Sequence, residues 1–68
     1  MNSENIIKDR REAMGLTQQQ LADRAGITKS FVSLLEQGTR RPSLEVVSKL
    51  AEALELDHNT LMRQWSKW

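Results

Sequence analysis

The chain has 68 residues, enough for one compact core and too few for a two-domain enzyme. Hydrophobic residues make up 38%, charged residues 28% and aromatic residues 4%, with no cysteine. This excludes disulfide and thiolate-metal staples and suits packed helices better than a β-sandwich. Ten Lys+Arg against nine Asp+Glu leave a net charge of +1, too little for total charge to name a partner.

Caps and hydrophobic spacing predict five helices. The first runs from about Glu4 to Met14 behind Ser3 or Asn2 as cap, with Ile7, Arg11 and Met14 along one face and Ile6 beside it, and Gly15 stops it. The second, about Gln18 to Ala25, opens on Thr17 and Gln20, a capping box in which each side chain can satisfy an otherwise orphan N–H. Leu21, Ala22 and Ala25 face inward, Gly26 supplies a left-handed stop, and Ile27 plugs the turn. Thr28 then caps a third helix, about Lys29 to Gln37, that ends at Gly38. After Thr39-Arg40-Arg41-Pro42, Ser43 caps a fourth helix with Leu44, Val47, Leu50, Ala51 and Leu54 in helical register. A fifth follows Asp57 and carries Leu61, Met62 and Trp65.

The expected architecture is therefore all-α, one domain over residues 1–68, with helix five and the C-terminal end at 57–68. Its expected core is Ile7, Met14, Leu16, Leu21, Ala22, Ala25, Ile27, Val32, Leu35, Leu44, Val47, Leu50, Ala51, Leu54 and Leu61. The polar N-terminus and the absence of any long apolar run predict a soluble, cytoplasmic protein with no membrane partner. The ending Gln-Trp-Ser-Lys-Trp, with no linker after it, argues against truncation, although an N-terminal part of a longer regulator stays open.

Residues 17–38 pair two helices across a short glycine-containing turn, the helix-turn-helix pattern. Ala22 is small where the second helix crosses, Gly26 takes a backbone shape that a side chain resists, and Val32 wedges between the helices. The opposite face of helix three then offers Lys29, Ser30, Phe31, Ser33, Leu34 and Gln37. A helix fits the major groove, and the types are apt: Lys29 can donate to guanine, Ser30 and Ser33 can donate or accept, and Phe31 can pack on a thymine methyl. Phe31 and Leu34 have a second place open to them, the edge of the core.

Charge is segregated along the chain: Lys29, Arg40 and Arg41 against Glu36 leave +2 over residues 28–43, whereas Lys49 against Glu45, Glu52, Glu55 and Asp57 leaves −3 over residues 44–57. Gln18 starts helix two, where free N–H groups and the positive dipole end suit a phosphate. Arg40 and Arg41 are two adjacent guanidiniums in a loop, again suited to phosphate, or else simply solvated. The acidic run reads as the solvated outer face of helix four. His58 is the only histidine and lacks metal-site partners, and no nucleophile triad or glycine-rich phosphate loop appears. Neither metal, cofactor nor enzymatic activity is expected.

The run Gly-Leu-Thr-Gln-Gln-Gln-Leu-Ala-Asp-Arg-Ala-Gly-Ile-Thr-Lys-Ser-Phe-Val-Ser-Leu-Leu-Glu-Gln-Gly, then Arg-Arg-Pro-Ser, resembles the phage repressor and Cro family, also called the xenobiotic response element family. Leu16-Thr17-Gln18, Leu21-Ala22, Gly26, Glu36, Gly38 and Pro42 carry the resemblance, which covers roughly residues 5–62. It implies a five-helix repressor-like domain that binds double-stranded DNA, usually as a homodimer on a pseudo-palindromic operator. It further implies base readout by Lys29, Ser30, Phe31, Ser33 and Leu34, phosphate contacts from Gln18, Thr28, Gln37, Arg40 and Arg41, and a bracing pair of Arg11 with Glu36.

A different class of function stays open beside this one, a protein-interaction module of antitoxin type using helix five. Leu61, Met62, Trp65 and Trp68 would form one stripe on a continued helix five, a candidate dimer contact, unless Trp65 folds back onto the core.

Overall fold

All five helices begin behind a short polar side chain that accepts a free backbone N–H, and four of these caps stand where the sequence predicts them. The computed structural model describes residues 5–63, and its elements are α1 (Ile6–Ala13), α2 (Gln18–Ala25), α3 (Lys29–Gln37), α4 (Leu44–Leu54) and α5 (His58–Met62). Among the described residues there is no strand, and no helix is long and apolar enough to cross a membrane. Thr17 Oγ1 accepts from Gln20 N–H at 3.0 Å while Gln20 Oε1 accepts from Thr17 N–H at 2.8 Å, closing the capping box. Thr28, Ser43 and Asp57 each accept a first-turn backbone N–H at the start of α3, α4 and α5.

α1 is the exception. Its cap is Asn5, whose Oδ1 accepts from Lys8 N–H at 3.0 Å, so the helix starts later than a Ser3 or Asn2 cap would have it. Gly26 ends α2 at φ 71°, and a Cβ there would meet nothing within 4 Å; glycine answers the left-handed backbone rather than a lack of space. α4 stops without glycine. Glu55 takes the left-handed conformation itself, at φ 57°.

α2 packs on α3 and α4, α4 on α5, and α1 closes over α3 and α4. Ile7, Leu21, Ala22, Val32, Leu35, Leu50, Leu54 and Leu61 are fully shielded at the centre, with Ala25, Val47, Ala51 and Ala53 beside them. Ala53 was not expected there. Cationic side chains from α1 and α2 close the far end of α4: Arg10 Nε donates to Leu54 O at 2.9 Å and Arg24 Nη1 to Ala53 O at 3.5 Å.

Several expectations need correction. Leu44 is 67% exposed rather than core. It is the first residue of α4, and because helical side chains tilt toward the N-terminus, its own reaches past the packed part of the helix. Beside Arg41, Pro42, Val47 and Met62 it borders a small cavity of about 110 Å³. Met14, Leu16 and Ile27 are half-buried, at the margin of the core rather than within it. Leu61 is fully buried, which removes it from any exposed stripe, and Met62 is half-buried against the core. Trp65 and Trp68 lie outside the described residues, as do Asn2 and Ser3.

Candidate nucleic-acid interface

Helix α3 is held at its C-terminal end and left open at its N-terminal end. The hold begins with α1, whose face carries Arg11 toward the last turn of α3. Arg11 Nε donates to Glu36 Oε2 at 2.6 Å and Nη2 to Glu36 Oε1 at 3.1 Å, a two-pronged pair that matches the planar guanidinium to the carboxylate. Only 11% of the Arg11 side chain and 5% of the Glu36 side chain are exposed. The third prong, Nη1, donates to Leu16 O at 2.8 Å in the turn between α1 and α2. The Glu36 hydrogen bond, outweighing the cost of burial, raises the Arg11 pKa above its ordinary value, so the guanidinium keeps its charge.

Glu36 has another partner. Gln18, the first residue of α2, donates from Nε2 to Glu36 Oε1 at 2.9 Å. One carboxylate near the end of α3 thus gathers a side chain from each of the two preceding helices. This also places Gln18 at the end of α3 that leads into Thr39-Arg40-Arg41, rather than at the end where Lys29 stands. One amide hydrogen of Gln18 is engaged by Glu36. Its other amide hydrogen and its backbone N–H in the first turn of α2 still suit an oxyanion.

The remaining residues divide clearly. Lys29 and Ser30 are exposed in the first turn of α3, with no internal side-chain bond among the described residues. Thr28 is exposed, and its Oγ1 accepts from Phe31 N–H at 3.0 Å, which leaves the hydroxyl hydrogen able to donate outward. Phe31 is half-buried and packs partly against the core, so it divides between the two places open to it. Ser33 and Leu34 are half-buried, and Ser33 Oγ accepts from the exposed Gln37 Nε2 at 3.2 Å. Arg40 and Arg41 are exposed and carry no internal bond among the described residues. Thr39 anchors the start of their loop through Oγ1, which donates to Leu34 O at 3.2 Å.

The sequence reading missed Asn5. Its Nδ2 donates to Leu35 O and to Glu36 O, each at 3.0 Å, so the residue that starts α1 also touches the end of α3. Asn at a helix start is a visible cap signal; the long-range half of its role has no local signature. Among the described residues, no cluster of three His, Cys, Asp or Glu is placed to hold a metal ion.

A helix-turn-helix family model matches residues 7–61. A Methanothermobacter thermautotrophicus protein named as an uncharacterized HTH-type transcriptional regulator is 40% identical over 53 residues, 78% of this chain and 77% of its own length. A Mycobacterium tuberculosis protein of the same description is 35% identical over 57 residues, 84% of this chain and 41% of its own. The cryptic phage CTXphi transcriptional repressor RstR of Vibrio cholerae is 32% identical over 66 residues, 97% of this chain and 59% of its own. The matched stretch is therefore most of the first relative but less than two thirds of the other two.

Proposed function

We propose that this chain, which belongs to the helix-turn-helix family of transcriptional regulators of the Cro/C1 type, binds double-stranded DNA sequence-specifically and represses by occupying a pseudo-palindromic operator. The observation that carries the reading is the asymmetry of α3. Its last turn is fixed by Arg11 and Gln18 through Glu36, while the Lys29 and Ser30 side chains at its other end are exposed and make no bond among the described residues. A rigidly held helix with an unpartnered N-terminal face is what entry into a major groove requires. Lys29, Ser30 and Ser33 read base edges, with apolar contact from the outer parts of Phe31 and Leu34. Gln18, Thr28, Gln37, Arg40 and Arg41 contact the phosphates on either side.

Two such helices spaced by a two-fold axis would explain a palindromic site, so the protein acts as a homodimer at least on DNA. Met62 borders the exposed Leu44, and this corner of α4 and α5, continued by Trp65 and Trp68 in the sequence, is the candidate contact. The protein works in the cytoplasm, where the DNA is. Selection of bound duplexes from a random pool tests the reading. A palindromic consensus with half-sites about one helical turn apart supports it. Failure to enrich any duplex would refute it and leave the protein-interaction module of antitoxin type.

A further inference from the structure

Asn5 makes three side-chain hydrogen bonds that join two helices distant in sequence. Oδ1 accepts from Lys8 N–H at 3.0 Å, and Nδ2 donates to Leu35 O and Glu36 O, each at 3.0 Å. Chemistry forces this orientation of the amide: one end meets an N–H, the other meets two carbonyls, and turning it over would set like against like three times. The last carbonyls of a helix have no partner within it. In α3, Leu34 O is taken by Thr39, and Leu35 O by Gly38 N–H together with Asn5. Glu36 O has Asn5 as its partner among the described residues.

Glu36 is thereby held twice over, at its main chain by Asn5 and at its carboxylate by Arg11 and Gln18. The side-chain grip fixes where the end of α3 sits. A grip on the main chain adds control over its direction, because two carbonyls that project along the helix axis are both directed at one nitrogen. Direction matters at the far end. Lys29 stands seven residues from Glu36, about 10 Å at a rise of about 1.5 Å per residue, so a tilt of about 5° moves it by about 1 Å. That is comparable to the tolerance of a well-aligned contact constellation.

We propose that Asn5 is a positioning residue for the recognition helix, acting by tethering the C-terminal carbonyls of α3 to the start of α1. The proposal rests on the reading of α3 as the helix that enters DNA. Replacing Asn5 by Asp separates the two halves of its role. Asp caps α1 as well as Asn does but has no donor, and it sets a carboxylate oxygen against two carbonyls. If Asn5 served α1 alone, N5D would change nothing in α3.

The expected result with the N5D variant of the 68-residue chain is faster amide exchange in the last turn of α3 and at Gly38 and Thr39, with protection in α1 retained. Affinity for the duplex that the parent protein selects from a random pool falls about tenfold, whereas affinity for a scrambled duplex of equal length changes less than twofold. Asn5→Ser, which keeps a neutral cap but falls short of the carbonyls, reproduces the same pattern in weaker form and serves if N5D does not fold. Unchanged exchange in α3 in both variants overturns the proposal, as does an equal loss of affinity on both duplexes. Failure of the parent protein to select any duplex refutes the DNA reading instead, and the exchange measurement then still judges the tether by itself.

Discussion

Substituting the two ends of the Arg11–Glu36 pair, singly and together, measures how much of the fold depends on this one contact. The pair is two-pronged, at 2.6 and 3.1 Å, with 11% and 5% of the side chains exposed, which puts it outside the regime of surface ion pairs worth about 0.2–1 kcal/mol. Arg11→Met leaves the shielded Glu36 carboxylate with Gln18 as its one remaining side-chain donor among the described residues. Glu36→Leu leaves Arg11 with Leu16 O and with Glu12, whose carboxylate is 3.8 Å away and well exposed. Removing one partner of a buried pair costs about 3–5 kcal/mol, and the partial rescue at each end argues for the lower part of that range. A domain of 68 residues holds only about 3–10 kcal/mol in all, at about 0.05–0.15 kcal/mol per residue, so either single variant is close to unfolding. The double variant has no stranded charge, and apolar replacement of a buried pair is often nearly neutral. Its loss is therefore expected to fall short of the sum of the single losses by about 2 kcal/mol or more. Urea denaturation of all four proteins at low and high salt is the assay. The coupling is expected to persist in about 1 M salt, since shielded charges are screened little. Additive losses, or a coupling that salt abolishes, would refute the view that this contact is a buried clamp.

Other expectations concern single positions. Glu55→Gly should raise thermal stability, by up to about 1 kcal/mol, because it relieves the left-handed backbone at φ 57°; a lower melting temperature would show that the Glu55 side chain matters more than its conformation. Leu44→Ala should change urea stability by no more than about 0.5 kcal/mol, against about 2–5 kcal/mol for Leu50→Ala, since the first is 67% exposed and the second fully buried. Arg40→Ala and Arg41→Ala should weaken selected and scrambled duplexes alike and each reduce the salt slope of binding by about 1, whereas Lys29→Ala should alter the selected consensus at a cost of about 1–3 kcal/mol. Sedimentation equilibrium of the Trp65→Ala/Trp68→Ala double variant should show weaker self-association than the parent, and an unaffected dimer would place that interface elsewhere.

What the sequence made legible was mostly local. Thr17, Thr28, Ser43 and Asp57 mark helix starts because a cap bonds to an N–H two or three residues away, so the signal and its cause share one short window. The start of α1 was harder: Asn2, Ser3 and Asn5 are all able to cap within four residues, and what favours Asn5 includes its bonds to Leu35 and Glu36, thirty residues on. Leu44 matched the apolar register of α4, but register alone does not reveal that the packing which buries Val47 leaves the first residue of the helix 67% exposed. Leu61 fitted both the core and an outward stripe, because a five-residue helix is too short for spacing to say which side is covered. The left-handed stop at Glu55 carries no sequence signal, glycine being the usual mark of that conformation. At the candidate interface, residue types and their order were legible. The joining of Gln18, Arg11 and Asn5 on a single glutamate was only partly so, since it depends on how three helix ends meet.

That the Lys29 and Ser30 side chains make no internal bond among the described residues bears on how such a protein can diverge. Substitutions at exposed positions away from caps and clamps usually shift stability by no more than about 0.5 kcal/mol, so these two positions can change with little effect on folding. The groups that orient α3 occupy its opposite end and belong largely to other helices. Duplicated copies of such a gene could therefore acquire new binding preferences in a few steps, each intermediate remaining folded, while the scaffold beneath stays the same.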